Sequence, residues 1–184
     1  MSVFQNNLLA AAASTTGADI AGGELWTWGH NDKGQLGLGD KTNRSSPVQV
    51  GSLTDWATIQ AGRSFMSATK NDGTLWTWGL GTSGRLGHGN DDSLSSPVQV
   101  GSLTNWSQIS ATYGNVLAVK TDGTLWAFGK GRSGGLGNGD DSDQDSPVQV
   151  GSLTDWSKVV SVRDSDGNIY YEVDSLSQDT VFLR

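Results

Sequence analysis

The chain has 184 residues, a net charge of −7, 8 tryptophans, 26 glycines and no cysteine. That length can bury one sizeable core, the acidic balance and scattered Lys and Arg argue against a nucleic-acid surface, and the lack of cysteine excludes a disulfide framework or thiolate metal site. The longest apolar run, Leu8 to Ala13, is far too short to span a membrane, and no Lys or Arg precedes it, so the start does not read as a secretory signal.

Residues 1–22 read as an N-terminal arm, polar at first and then small and apolar, with Phe4, Leu8 and Leu9 as candidate docking contacts. The helix signal is weak everywhere except over Phe4 to Ala13. From Gly23 the chain repeats. Gly23, Gly73 and Gly123 open three units fifty residues apart, covering 23–72, 73–122 and 123–166. Each opens with Leu-Trp, passes through a glycine-rich run such as "GQLGLGD", carries "SPVQVGSLT", and places a Trp two residues later.

Within a unit the pattern is strand-like. "LWTW" alternates large and small side chains, and "PVQV" opens with Pro, placed as the first residue of a strand. "WATIQAG" and "FMSATK" are two further short strands. Asp-Gly before the second and third units supplies a tight hairpin turn. Four short strands per unit amount to one propeller blade. "DGNIYYEV" reads as the opening of a fourth unit, with Ile169 and Tyr170 in the Leu-Trp positions, arriving six residues early and cut to a stub over 167–173. Residues 174–184 read as a C-terminal arm, where Val181 and Leu183 alternate with Phe182 as in an added strand. Tyr171 in the stub and Val181, Phe182 and Leu183 in this arm are candidate docking residues. Ordinary frayed tails are the plain alternative.

Aromatic residues that recur in register are read as core. Trp26, Trp28, Trp76, Trp78, Trp126 and Phe128 are placed between blades, and Trp56, Trp106 and Trp156 over a blade edge. A sugar-stacking platform is the alternative for the tryptophans. The glycines lead into a polar loop and a strand, not a helix, and no Lys-Ser/Thr follows, so a phosphate loop is not supported. Asp140, Asp141, Asp143 and Asp145 form a loop run that fails the EF-hand pattern, leaving a solvated loop or a weak Ca²⁺ site. His30 and His88 fall at different phases of the repeat, and no catalytic constellation is visible.

The run from Gly23 to Val48, with its Leu-Trp opening, "GQLGLGD" and "SPV", resembles the repeat of the regulator of chromosome condensation family, and the likeness extends to about Val173. The resemblance implies a β-propeller with blades of this length. It implies no particular activity, since relatives include a nucleotide exchange factor and secreted β-lactamase inhibitors. The opening "MSVFQNNLLAAAAST" resembles those of tailed-phage structural and appendage proteins.

The expectation is an all-β, partial β-propeller of three repeated four-stranded blades plus a truncated fourth, with N- and C-terminal arms. It acts as a non-enzymatic structural or binding protein, a capsid decoration or tail appendage in a virion, with no cofactor or metal. Its partners are itself or other virion proteins, with no nucleic acid and no membrane insertion. A bacterial protein-binding scaffold and a host-surface carbohydrate-binding module are the alternatives. Unpaired end faces predict an oligomer or a docked complex.

Overall fold

The computed structural model describes residues 9–12, 23–163, 169–175 and 181–182. These form four antiparallel sheets. The first holds β1 (Leu9–Ala12), β2 (Leu25–Gly29) and β3 (Arg44–Gln49). The second runs β4 (Trp56–Ala61), β5 (Phe65–Lys70), β6 (Leu75–Gly79) and β7 (Leu94–Gln99). The third repeats it as β8 (Trp106–Ala111), β9 (Asn115–Lys120), β10 (Leu125–Gly129) and β11 (Gln144–Gln149). The fourth holds β12 (Trp156–Arg163), β13 (Ile169–Ser175) and β14 (Val181–Phe182). The sheets follow one another as propeller blades, and no closed sheet forms among the described residues.

The blades are offset from the sequence unit by half its length. Each four-stranded sheet takes two strands from the end of one unit and two from the start of the next. The three units therefore give two complete blades and two three-stranded ones at the ends. The "SPVQVGSLT" segment is the covalent bridge from one blade to the next.

Three apolar clusters fill the three gaps between sheets. Leu25, Val50, Met66 and Trp78 lie between the first and second sheets. Phe65, Leu86, Val116 and Phe128 lie between the second and third. Leu117, Leu125, Leu136 and Val159 lie between the third and fourth. With core on both faces, β5 and β9 are buried at every position instead of alternating.

Several expectations change. Pro47, Pro97 and Pro147 sit fourth in their strands, not first. They are tolerated because β3, β7 and β11 are edge strands, each with a break in register. The helix signal over Phe4 to Ala13 loses at Leu9–Ala12, which pair with β2 from Leu9↔Trp28 to Ala12↔Leu25. An open strand edge offers hydrogen-bond partners that outweigh alanine's helix preference.

The "IYYEV" segment does not open a fourth unit. Trp156 pairs with Ser175 where Trp56 pairs with Lys70 and Trp106 with Lys120, so β13 takes the place of β5 and β9. The fourth blade's third strand is β14. Val181 and Phe182 thus add as a strand, but to their own chain's sheet. Leu9 does the same at the other terminus. Phe4, Leu8 and Leu183 lie outside the described residues.

Candidate functional site

Register sorts the connections to two ends. Phe65 pairs with Gly79 and Asn115 with Gly129, so the β4–β5 and β8–β9 turns stand beside the long loops after β6 and β10. The Leu80 amide donates to Ser64 O at 2.8 Å and the Lys130 amide to Gly114 O at 2.9 Å. This is the loop end. The "GSLT" connections and the β5–β6 and β9–β10 turns lie at the other, seam end. There the Trp106 amide donates to Gly73 O at 3.0 Å and the Trp156 amide to Gly123 O at 3.0 Å, crossing from blade to blade. A Cβ on Gly73 would come within 2.1 Å of Thr104 O.

The two ends differ in sequence. Gly51–Thr54, Gly101–Thr104 and Gly151–Thr154 are identical at the seam end. At the loop end "HNDKGQ", "LGTSGR" and "KGRSGG" diverge, as do "AGRS" and "ATYG". The backbone beneath that variation is held by a recurring set of bonds. Asn31 N donates to Asn43 Oδ1 at 2.8 Å, Gly81 N to Ser93 Oγ at 3.1 Å and Gly131 N to Asp143 Oδ1 at 2.9 Å. Asp141 accepts from Gly134 N at 2.7 Å and Asp140 from Ser142 N at 2.8 Å. The acidic run read as a possible Ca²⁺ loop thus spends these oxygens on loop amides. No group of three His, Asp or Glu among the described residues is placed to share a metal ion.

One loop-end cluster stands out by charge. Arg63, on the β4–β5 turn, holds its guanidinium 4.6 Å from the centre of the Tyr113 ring, on the β8–β9 turn of the next blade. Lys130 Nζ reaches the same ring at 5.9 Å. Arg85 is only 6% exposed; its Nε donates to Thr82 O at 2.7 Å and its Nη1 to Arg63 O at 3.5 Å. Burial, and then the charge on Arg63, push the Arg85 guanidinium below its ordinary value, with Asp143 and Asp91 pulling back. Asn115 ties the cluster down, donating to Lys130 O at 3.1 Å and Gly135 O at 2.9 Å, while Thr112 Oγ1 donates to Asn115 Oδ1.

The aromatic positions divide. Trp78 and Phe128 are fully buried, and Trp56 and Trp106 nearly so, inside the gaps between sheets and not over an edge. Trp28, Trp76, Trp126 and Trp156 are half-buried. Trp26 departs from the core expectation at 37% exposure. Trp76 meets Trp56 edge-on at 6.0 Å, and Trp126 meets Trp106 at 6.2 Å. Trp26 pairs with Ala11 of β1 in register, and its indole N–H donates to Glu24 Oε2 at 3.0 Å. Tyr171 falls on β13.

A feature missed from sequence is a caged lysine in each complete blade. Lys70 Nζ lies 4.9 and 4.2 Å from the Trp56 and Trp76 rings, and Lys120 Nζ 4.8 and 3.5 Å from Trp106 and Trp126. Its signal was the in-register lysine three residues before Gly73 and Gly123.

His88 Nε2 lies 2.9 Å from Thr77 Oγ1 and lines a cleft of about 350 Å³ with Val100, Leu103, Trp106, Trp126 and Pro147. The buried Trp106 Nε1 has no hydrogen-bond partner, but the same holds for Trp56 and Trp156, so it is a property of the repeat.

Three segments, residues 22–68, 72–119 and 122–163, match the regulator of chromosome condensation (RCC1) repeat. The chain belongs to the RCC1 repeat family. RCC1-type propellers are also its structural neighbours. Prp20p from Saccharomyces cerevisiae, described for its binding to Gsp1p and histones, superposes with a TM-score of 0.68 at 19% identity, over 88% of this chain and 40% of that one. Human WBSCR16 gives 0.66 at 20% identity, over 85% and 43%. Yeast RCC1 (Prp20), solved with Kap60 bound, gives 0.59 at 16% identity, over 95% and 48%. This chain thus spans less than half the length of each. No curated protein matches it in sequence.

Proposed function

We propose that this RCC1-repeat chain is a non-enzymatic protein-binding scaffold that presents its loop end to a partner. The observation that carries this reading is the segregation of variation. The invariant "GSLT" builds the seams, while the loop end sets divergent residues, such as His30–Gln35 against Leu80–Arg85 and Lys130–Gly135, on a recurring frame of Gly34, Leu36, Gly37 and Gly39 with their counterparts and on recurring backbone bonds. A rigid frame with variable loops at one end is a recurrent way to build a recognition surface. One structural neighbour, yeast Prp20, is described with protein partners in two structures, Gsp1p and histones in one and Kap60 in the other. Placement in a virion rests on the resemblance of residues 1–15 alone; the comparisons favour the broader scaffold reading.

The test is capture with two altered ends. The immobilised chain should retain a polypeptide from its source cells. Replacing His30–Gln35 and Lys130–Gly135 with the Leu80–Arg85 sequence should abolish retention. Replacing the exposed Leu53, Leu103 and Leu153 with Ser at the seam end should leave it intact. Retention indifferent to the loop change would overturn the proposal.

A further inference from the structure

The Arg63–Arg85–Lys130–Tyr113 cluster is costly for the free protein. Arg85 Nη1 donates to the Arg63 backbone carbonyl, which sets two like-charged side chains in one cluster, and Arg85 is buried. Among the described residues no carboxylate lies within ion-pair distance of Arg63, Arg85 or Lys130, although Lys33, Arg44 and Lys70 each have one. A buried cation with no carboxylate in direct contact, and only the more distant pull of Asp143 and Asp91, is costly.

The repeat offers cheaper solutions at every one of these positions. Where Arg85 stands, the first unit has Gln35 and the third has Gly135. Where Lys130 stands, the other units have His30 and Leu80; where Arg63 stands, the second unit has Tyr113 and the third Arg163. The blade does not need these cations, yet the chain gathers them at one seam of its loop end. Unfavourable charge kept at a site the fold could neutralise points to function.

We infer that this cluster binds an acidic polypeptide segment, with Arg63 and Lys130 taking its carboxylates over Tyr113 and Arg85 supplying positive potential from beneath. The inference rests on the protein-binding reading and names that partner's chemistry. Arg63 is exposed and already stacked on the ring, so its planar fork is pre-oriented for a carboxylate. Lys130, half-buried, adds a second charge on the same ring. A nucleic acid fits worse. Tight backbone binding draws on roughly 6–10 phosphate contacts, and this cluster offers only Arg63, Arg85 and Lys130.

The probe is fluorescein-labelled hexaglutamate, followed by anisotropy on the full chain at low and physiological salt. The expected result is saturable, salt-sensitive binding that inorganic phosphate does not displace at equal concentration and that exceeds binding of a short DNA duplex. Arg63→Glu with Lys130→Glu should weaken it about tenfold or more. Lys158→Glu, an exposed lysine on β12, should not. Circular dichroism melts of the variants check that folding is intact. Binding that survives the double reversal overturns the inference, as do displacement by phosphate alone and preference for DNA. Failure to bind hexaglutamate, with loop-dependent capture retained, overturns the acidic-segment inference and leaves the scaffold reading standing.

Discussion

At the scale of single residues, the departures from the repeat say more than the repeat does. His88 replaces Leu38 and Asn138 at one position. Burial lowers its pKa from 6.5. The folded state therefore binds a proton less readily than the unfolded state, and stability falls as pH drops below 6.5 until the folded-state value is passed. His88→Asn should flatten this part of the melting-temperature profile; an unchanged slope would refute the assignment. Asp40 and Asp72 act lower. Hydrogen bonds from Thr42 and Arg44 to Asp40, and from Thr74 to Asp72, depress their values. Their contribution is present above 3.8 and is lost as pH falls through the depressed values, so it leaves the His88 window clear.

At the scale of elements, glycine spacing is a packing specification between blades. A Cβ on Gly87 would stand 2.9 Å from Phe128 Cδ2, and one on Gly37 2.8 Å from Trp78 Nε1. Gly101 also has positive φ, at +61°, but nothing lies within 4 Å of its would-be Cβ. Gly101→Ala should cost only the left-handed backbone penalty, about 1–2 kcal/mol. Gly87→Ala should cost about 1–3 kcal/mol more for overpacking against Phe128. Urea denaturation of the two variants measures the difference, and equal losses would contradict the close packing. Trp78 adds a directional lock, its indole N–H donating to Gln35 O at 3.0 Å across the gap.

At the scale of the molecule, both terminal sheets have three described strands. Trp26 is the exposed counterpart of the paired Trp76 and Trp126, and it lies on the first of those sheets. A strand laid beside β1 would cover it. Multi-angle light scattering should therefore find a species larger than the 19.3 kDa chain. A stable, monodisperse monomer would contradict this.

The repeat, its period, the all-β class and the buried aromatics were legible in the sequence, because in-register recurrence of Gly, Leu and Trp is imposed by stacking identical units. Even the seam was written there, as the invariant "GSLT". What the sequence could not decide was which strands share a sheet. A repeat has no intrinsic start, so its phase against the blade depends on pairing, and pairing gave Trp156 to Ser175 and "IYYEV" to the second strand position. The cationic cluster was hidden for the same reason. Arg63, Arg85, Tyr113 and Lys130 come from four separate stretches of two blades. Only the antiparallel register, which turns the β4–β5 and β8–β9 turns toward the loops after β6 and β10, brings Arg63 and Lys130 to the Tyr113 ring with Arg85 bonded to the Arg63 carbonyl beside them.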